Sequence, residues 1–200
     1  MTRNPNKKPK PKIHIFHNGE VAESDYFGDF AKFLSDNDAW VIVNNYHKRT
    51  KGKAPWQLIN EAVRQKISKK DGDQVWCVFD IDDYLKDARE KFENGLKKAK
   101  QHGIKLAWSN QCFELWLMLH FNQVSTSVSR QDYEKKLQNS FKEIDVDYHK
   151  NSLQLFHKLL PLQPKAMKRA EKIFQKDQPQ ENPSTSLFLL IEELNNFLNQ

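Results

Sequence analysis

Four short apolar segments recur along the first half of the chain. The most pronounced is Val75–Phe79, a run of five apolar residues rich in β-branched and aromatic types, which leads directly into Asp80. Such a run is typical of a strand that is buried on both faces. The other three predicted strands are Ile13–His17, Trp40–Val43 and Ile104–Trp108.

The residues between these strands repeat apolar positions at helical spacing. One helix is predicted from about Ser24, a residue type favoured at N-caps, and a second from Pro55. A third is predicted from about Asp83 to His102, where Gly103 favours a stop. Strands that alternate with helices predict an α/β fold with a mainly parallel sheet flanked by helices.

The second half of the chain shows helical patterns only. Residues 109–121 are apolar on every side of a helix, which indicates a buried helix. The remaining predicted helices run from Ser129 to about Phe141, over 151–160, over 164–176 and from Asn182-Pro183 to the C-terminus. We therefore expect a helical C-terminal subdomain after the α/β part.

The resulting domain division has three parts. Residues 1–12 are predicted to be a disordered basic tail, 13–121 the α/β core, and 122–200 a helical extension packed on that core.

The chain has 200 residues, of which 38% are hydrophobic and 29% charged, as expected for a soluble globular protein. No apolar run approaches the roughly 18 residues of a membrane span, and no signal peptide is recognisable. Cys77 and Cys112 lie in apolar segments, which favours buried free thiols in a cytoplasmic protein.

The net charge of +6 favours a polyanionic partner such as nucleic acid. The cluster of most interest follows the second predicted strand and consists of His47, Lys48, Arg49, Lys51 and Lys53. In a parallel sheet this loop lies at the edge where strands end, and its cations would contact phosphates without reading sequence. The alternative is a solvated surface loop.

Carboxylates also follow the strands at this edge. Asp80 and Asp82 are two residues apart, so in extended chain they point the same way and would bind Mg²⁺ together with waters and phosphates. The alternative is that these acids, Asp83 included, cap the next helix. Glu114 lies in an otherwise apolar helix, where a charge needs a metal or a hydrogen-bonding partner.

These segments resemble the RloB-like proteins, a prokaryotic group described as Toprim-like. The resemblance covers nearly the whole chain after the tail. The matching blocks are Gly19-Glu20 with Glu23, Tyr26 and Phe27; Val78–Asp83; Ser109–Phe121; and Asn182–Ser186 with Glu192-Glu193-Leu194.

The resemblance implies a Toprim-like core with a four-stranded, mainly parallel sheet, and phosphodiester chemistry with Mg²⁺ or Mn²⁺. Carried over, Asp80 and Asp82 would be metal ligands and Asp83 a third ligand or a helix cap. Ser109, Asn110 and Glu114 would lie beside the site. The family is associated with anti-phage defence, including abortive infection, and often with an AAA- or ABC-type ATPase encoded nearby.

The first block departs from the family pattern, because Asn18-Gly19 stands where the family usually has Glu-Gly. An amide can coordinate through oxygen but cannot take a proton at neutral pH. Three alternatives follow: Glu20 or Glu23 supplies the missing carboxylate, the protein binds metal and cleaves slowly, or it has lost catalysis and acts as a binding subunit.

We therefore expect a metal-dependent nuclease that acts on DNA or RNA, tRNA included. The candidate catalytic residues are Glu20, Glu23, Asp80, Asp82 and Glu114. The alternative is a catalytically impaired subunit that binds nucleic acid or the ATPase without cleaving. The oligomeric state is left open.

Overall fold

The computed structural model of the chain describes residues 11–19, 21–37, 40–45, 54–69, 71–81, 84–145, 148, 155–175 and 178–198. Its strands are β1 (Lys12–His17), β2 (Trp40–Asn45), β3 (Gln74–Asp80), β4 (Lys105–Asn110) and β5 (Ser184–Thr185). Within the described residues they form one sheet in the order β2-β1-β3-β4-β5. The first four strands are parallel, which confirms the predicted α/β fold, whereas the short β5 is antiparallel to β4 and was not predicted.

Helices flank the sheet and follow it. They are α1 (Ala22–Ser35), α2 (Pro55–Arg64), α3 (Tyr84–Asp87), α4 (Arg89–Gln101), α5 (Glu114–Phe121), α6 (Arg130–Lys142), α7 (Leu155–Leu159), α8 (Gln163–Ile173) and α9 (Leu187–Phe197), with a 3₁₀ turn at Leu160–Leu162. The prediction that Pro55 opens a helix is confirmed. So is the N-cap at Ser129, whose side chain accepts a hydrogen bond from the backbone N–H of Asp132.

Several predicted boundaries are wrong. The buried helix predicted over 109–121 begins at Glu114, because Ser109 and Asn110 complete β4. The first helix begins at Ala22 rather than at Ser24. The single helix predicted from Asp83 to His102 is divided at Ala88, whose backbone (φ −148°, ψ 40°) leaves the helical region. The last helix begins at Leu187, because the residues after Asn182 form bends and β5 first. The division into three domains stays a prediction, and residues 1–10 of the predicted tail lie outside the described residues.

The sheet separates two hydrophobic cores. Along β3, Trp76 and Val78 face one core, while Val75, Cys77 and Phe79 face the other, since successive strand side chains point to opposite faces. The first core is closed by α1 and the C-terminal helices, and the second by α2 and α4. This explains the unbroken apolar run of β3, which is buried on both sides.

The segment after β4 is buried as predicted. In α5 every side chain from Glu114 to His120 is buried, and the helix packs against α6 and α8. Trp116 is fully buried at its centre. The apolar helix therefore joins the parallel sheet to the C-terminal helices through one continuous core.

Cys77 and Cys112 are both buried free thiols, as predicted. Among the helices that the structure describes, none has the length and apolar character needed to cross a membrane.

Candidate active site

Asp80 is the last residue of β3 and lies at the carboxyl edge of the sheet, opposite Ser109 of β4. Its side chain is 18% exposed. The next backbone N–H, that of Ile81, donates to the carbonyl of Ser109 at 3.0 Å, so pairing with β4 fixes where β3 ends. Ligands of parallel sheets bind at this edge, which makes Asp80 a suitable starting point for a site.

Arg130 is the partner of Asp80. Its guanidinium donates to an Asp80 carboxylate oxygen at 2.8 Å from the first residue of α6. The Arg130 backbone N–H donates to Oε1 of Gln111 at 3.1 Å, which docks the start of α6 on the end of β4. Arg130 was not predicted from the sequence. A cation in the first turn of a helix opposes the helix dipole, which is the local indication that Arg130 has a partner elsewhere.

Glu114 begins α5 and is 6% exposed. Burial raises the pKa of the nearby Cys112 thiol; the charges of Glu114 and Asp80 raise it further, and Arg130 lowers it. A hydrogen bond between Cys112 and Glu114 has the same upward effect on the thiol pKa. The charges of Asp80, Glu114 and Arg130 therefore all act on one buried thiol, and Cys112 is a hydrogen-bonding partner of Glu114.

Glu23 reaches the same region from the first turn of α1 and is 9% exposed. Its carboxyl group fills the space where a β-carbon at Gly19 would lie, so glycine is required for that placement. The charges of Glu114 and Glu23 both act on the buried Tyr148: burial raises its pKa most, followed by the charges of Glu114, Glu134, Cys112 and Glu23. Glu23 thus brings a carboxylate to the end of β1, where Asn18 cannot, while the alternative residue Glu20 lies outside the described residues.

Tyr133 adds a buried hydroxyl to this region. Burial raises its pKa most, followed by the charges of Cys112 and Glu114. The side chain is fully buried, and its Oη has no hydrogen-bond partner within the described part of the chain. A buried hydroxyl without a partner costs about 1–3 kcal/mol, which favours a water or ligand at that position.

The donor set suits a hard cation. Asp80, Glu23 and Glu114 offer carboxylate oxygens, which Mg²⁺ and Mn²⁺ prefer. The Tyr133 hydroxyl, on which the charge of Glu114 acts, has no hydrogen-bond partner among the described residues. No three His, Cys, Asp or Glu side chains of the described residues are grouped closely enough to enclose a metal. A Mg²⁺ held by one or two carboxylates, waters and substrate phosphates needs no such cage. The residues present therefore fit an open site at Asp80.

Ser109 and Asn110, predicted to lie beside the site, fasten the C-terminal segment to β4. The Ser109 hydroxyl is 2.9 Å from that of Thr185, and Asn110 donates to the carbonyls of Pro179 and Gln180 at 3.0 and 3.1 Å. The backbone N–H of Trp108 also donates to the Ser186 hydroxyl. These contacts explain why polar residues end the buried strand β4.

The remaining predicted site residues lie outside the described residues. They are Glu20, Asp82, Asp83, His47, Lys48, Arg49, Lys51 and Lys53. Their predicted roles in metal and nucleic-acid binding stay predictions. Asn18 and Gly19 are described, and they follow β1 at the same edge as Asp80.

We expect Gly19→Ala to weaken Mn²⁺ binding about tenfold, because its methyl group would displace the Glu23 carboxylate. Isothermal titration with Mn²⁺ measures this. Gly28→Ala on α1 is the matched control, since its β-carbon would meet no atom within 4 Å. Unchanged Mn²⁺ affinity in Gly19→Ala would show that Glu23 does not serve the metal.

Comparisons with known proteins agree with the resemblance seen in the sequence. A family model described as RloB-like protein matches residues 13–194 and confirms that resemblance. No curated protein and no solved structure matches significantly.

Proposed function

Because this chain belongs to the RloB-like family, we propose that it is a divalent-metal-dependent nuclease whose site lies at Asp80. One observation carries the proposal: Asp80 lies at the carboxyl edge of the parallel sheet, where the buried carboxylates of Glu23 and Glu114 follow β1 and β4. Buried like charges are costly unless a cation offsets them, so carboxylates at one edge of the sheet favour metal binding.

In the proposed mechanism, Asp80 holds the metal, together with Asp82 as the sequence predicts. Bound Mg²⁺ or Mn²⁺ would polarise a phosphoryl oxygen and lower the pKa of a water. Glu23, held against Gly19, accepts a proton in the place of the carboxylate that Asn18 lacks. Arg130 leaves Asp80 to bind the substrate phosphate, because guanidinium matches phosphate geometry.

Family membership and the net charge of +6 support a nucleic-acid substrate and a role in anti-phage defence in the cytoplasm. The predicted partner is an ATPase encoded nearby.

The decisive test is a cleavage assay on DNA and on tRNA, with Mg²⁺, Mn²⁺ or EDTA, and with and without that ATPase. We expect cleavage that requires the metal. Failure to cleave either substrate under every condition would overturn the proposal.

A second candidate is a subunit that binds nucleic acid or the ATPase without cleaving. Two observations favour it: Asn18 stands where the family usually has a glutamate, and Arg130 already neutralises Asp80. Asn18→Glu distinguishes the two candidates. Nuclease activity that arises only in this variant would favour the binding subunit, whereas a wild type that cleaves would exclude it.

We expect Arg130→Gln to bind Mn²⁺ several-fold more tightly and to cleave at least about tenfold more slowly. The ion pair is partly exposed, so the gain in affinity is modest. Titration with Mn²⁺ and single-turnover cleavage measure the two effects. Arg64→Gln is the control, because Arg64 pairs with Glu61 on α2. If metal affinity falls instead, Arg130 positions Asp80 rather than competing for it.

A further inference from the structure

Trp56 is a half-buried aromatic side chain near the start of α2, which begins at the carboxyl edge of the sheet. It packs against the second hydrophobic core without being enclosed by it. The other tryptophans whose burial the structure describes, Trp76, Trp108 and Trp116, are all buried. Partial exposure is common for tryptophan and indicates no function by itself. The contacts that hold this ring, and its position beside Asp80, are more informative.

Gly95 of α4 holds the stem of the Trp56 side chain. A β-carbon at Gly95 would lie 2.9 Å from Cβ and 3.1 Å from Cα of Trp56, which are the nearest atoms to it. Only glycine permits helices α2 and α4 to approach this closely. The stem of Trp56 is therefore fixed by the packing of two helices, while α4 makes its closest contact below the indole ring.

Tyr84 of α3 orients the ring itself. The two ring centroids are 5.5 Å apart, and the ring planes are nearly perpendicular, at 82°. In such an edge-to-face contact the tyrosine covers at most one face of the indole. Tyr84 therefore fixes the direction of the indole plane and leaves at least one of its faces uncovered by this contact.

The aromatic pair lies beside the end of β3, the strand that ends in Asp80. The backbone N–H of Tyr84 donates to the carbonyl of Ile81 at 3.3 Å, so their Cα atoms lie within about 7 Å of each other. Ile81 faces the core under α2 and α4, whereas the preceding Asp80 faces the opposite side and meets Arg130. A chain that crosses the end of β3 thus passes from Asp80 to Trp56.

A fixed and partly exposed indole suits a nucleobase. Stacking needs neither a charge nor a hydrogen bond, and it tolerates any sequence because every base has a π-face. Bases of a duplex are already stacked on one another, so a base must leave the duplex before it can stack on a side chain. The geometry at Trp56 therefore favours an unpaired base.

We propose that Trp56 stacks on an unpaired base next to the phosphodiester held at Asp80, so that the substrate is single-stranded where it is cleaved. The substrate class is thus a single strand of DNA or RNA, or an unpaired loop of a folded RNA. The inference rests on the proposed function, because it assigns the substrate of that same site. Trp56 acts as a positioning residue and takes no part in the chemical step.

The test measures binding without cleavage. Fluorescence anisotropy in EDTA gives the affinity for a labelled single strand and for the same sequence as a duplex. Loss of a base-stacking ring typically costs about five- to 150-fold in affinity. We expect Trp56→Leu to bind the single strand about tenfold more weakly, with an unchanged salt dependence because stacking releases no counterion. Its affinity for the duplex should equal that of the wild type.

Two further variants separate stacking from packing. Trp56→Phe keeps an aromatic face and should retain most of the affinity for the single strand. Phe33→Leu is the matched control, because Phe33 is also half-buried and contacts another ring, that of Phe156, at 5.6 Å between centroids near the end of α1. Thermal melting verifies that each variant folds. Equal losses in Trp56→Leu and Phe33→Leu, equal losses for single strand and duplex, or no binding of a single strand by the wild type would overturn the proposal.

Tryptophan fluorescence gives a readout that packing alone would not change. A base stacked on an indole quenches its emission, so an unlabelled single strand should quench the fluorescence of the wild type. Most of this quenching should be absent from Trp56→Phe at concentrations at which that variant is saturated with the strand. Equal quenching in the two proteins would show that the base does not stack on Trp56.

Cleavage assays distinguish failure of this proposal from failure of the proposed function. Trp56-dependent binding of a single strand by a protein that never cleaves would refute the nuclease and retain the stacking contact. Unchanged single-strand binding by Trp56→Leu, in a protein whose wild type cleaves, would retain the nuclease and refute the stacking contact.

Discussion

Asp80→Asn is expected to lower metal-dependent cleavage by at least about a hundredfold. Loss of a residue that only orients a metal ligand typically costs about 10–100-fold, so loss of a ligand itself should cost at least the upper value. Asparagine keeps the size of the side chain but removes the charge that holds the cation and pairs with Arg130. Single-turnover cleavage with saturating oligonucleotide measures the effect, and added Mn²⁺ should restore only part of it.

Glu61→Gln is the matched control for Asp80→Asn. Glu61 also pairs with an arginine, Arg64, at 2.6 Å, but it lies on α2. Both variants therefore lose one carboxylate from a carboxylate–arginine pair, and only one of them lies at the proposed site. Cleavage by Asp80→Asn at the rate of the wild type would place the metal elsewhere.

His120 should make folding strongly dependent on pH. It is fully buried in α5, and its Nδ1–H donates to the carbonyl of Trp116 at 2.9 Å. Nε2 has no partner within the described residues, so protonation would create a buried cation without an acceptor. The pKa of His120 is lowered to about 4: burial lowers it most, backbone hydrogen bonds to Trp116 and Leu117 partly oppose this, and the nearby charge of Arg169 adds to the lowering.

The direction of the effect follows from the bound protons. Between pH 6.5 and 4 the unfolded chain protonates His120 and the folded chain does not, so the free energy of unfolding decreases as pH falls through this window. The loss is about 3 kcal/mol, at about 1.4 kcal/mol per pKa unit. Urea midpoints at pH 7.5 and 4.5 measure it for the wild type and for His120→Gln, in which this part of the dependence should disappear.

His102→Gln is the control for that experiment, because His102 is exposed at the end of α4. Its removal should leave the pH dependence of the urea midpoint unchanged. An equal dependence in the wild type and in His120→Gln would show that another group causes the loss of stability in acid.

Local sequence pattern was sufficient for the four parallel strands of the sheet. The apolar run of β3 predicted a strand buried on both faces, and the polar residue at its end, Asp80, lies at the predicted edge. Ser129 carried its own capping signal. Such features depend on residues within a few positions of each other, so the sequence displays them directly.

The rest depends on contacts between distant residues. Arg130 meets Asp80 across a separation of 50 residues, and β5 exists because Thr185 and Ser186 bond to β4 from more than 70 residues away. The interruption of the predicted helix at Ala88 also has no proline or glycine beside it that would predict a helix end. These features depend on tertiary contacts, so the local sequence pattern does not predict them.

The contact between Arg130 and Asp80 constrains how relatives of this protein can be recombined. The arginine begins α6, which packs on α5, while the aspartate ends a strand of the sheet. A chimera that exchanges the sheet between two relatives at a junction before residue 130 would inherit the acid from one parent and its cation from the other. Functional chimeras should therefore be those in which both residues descend from the same parent.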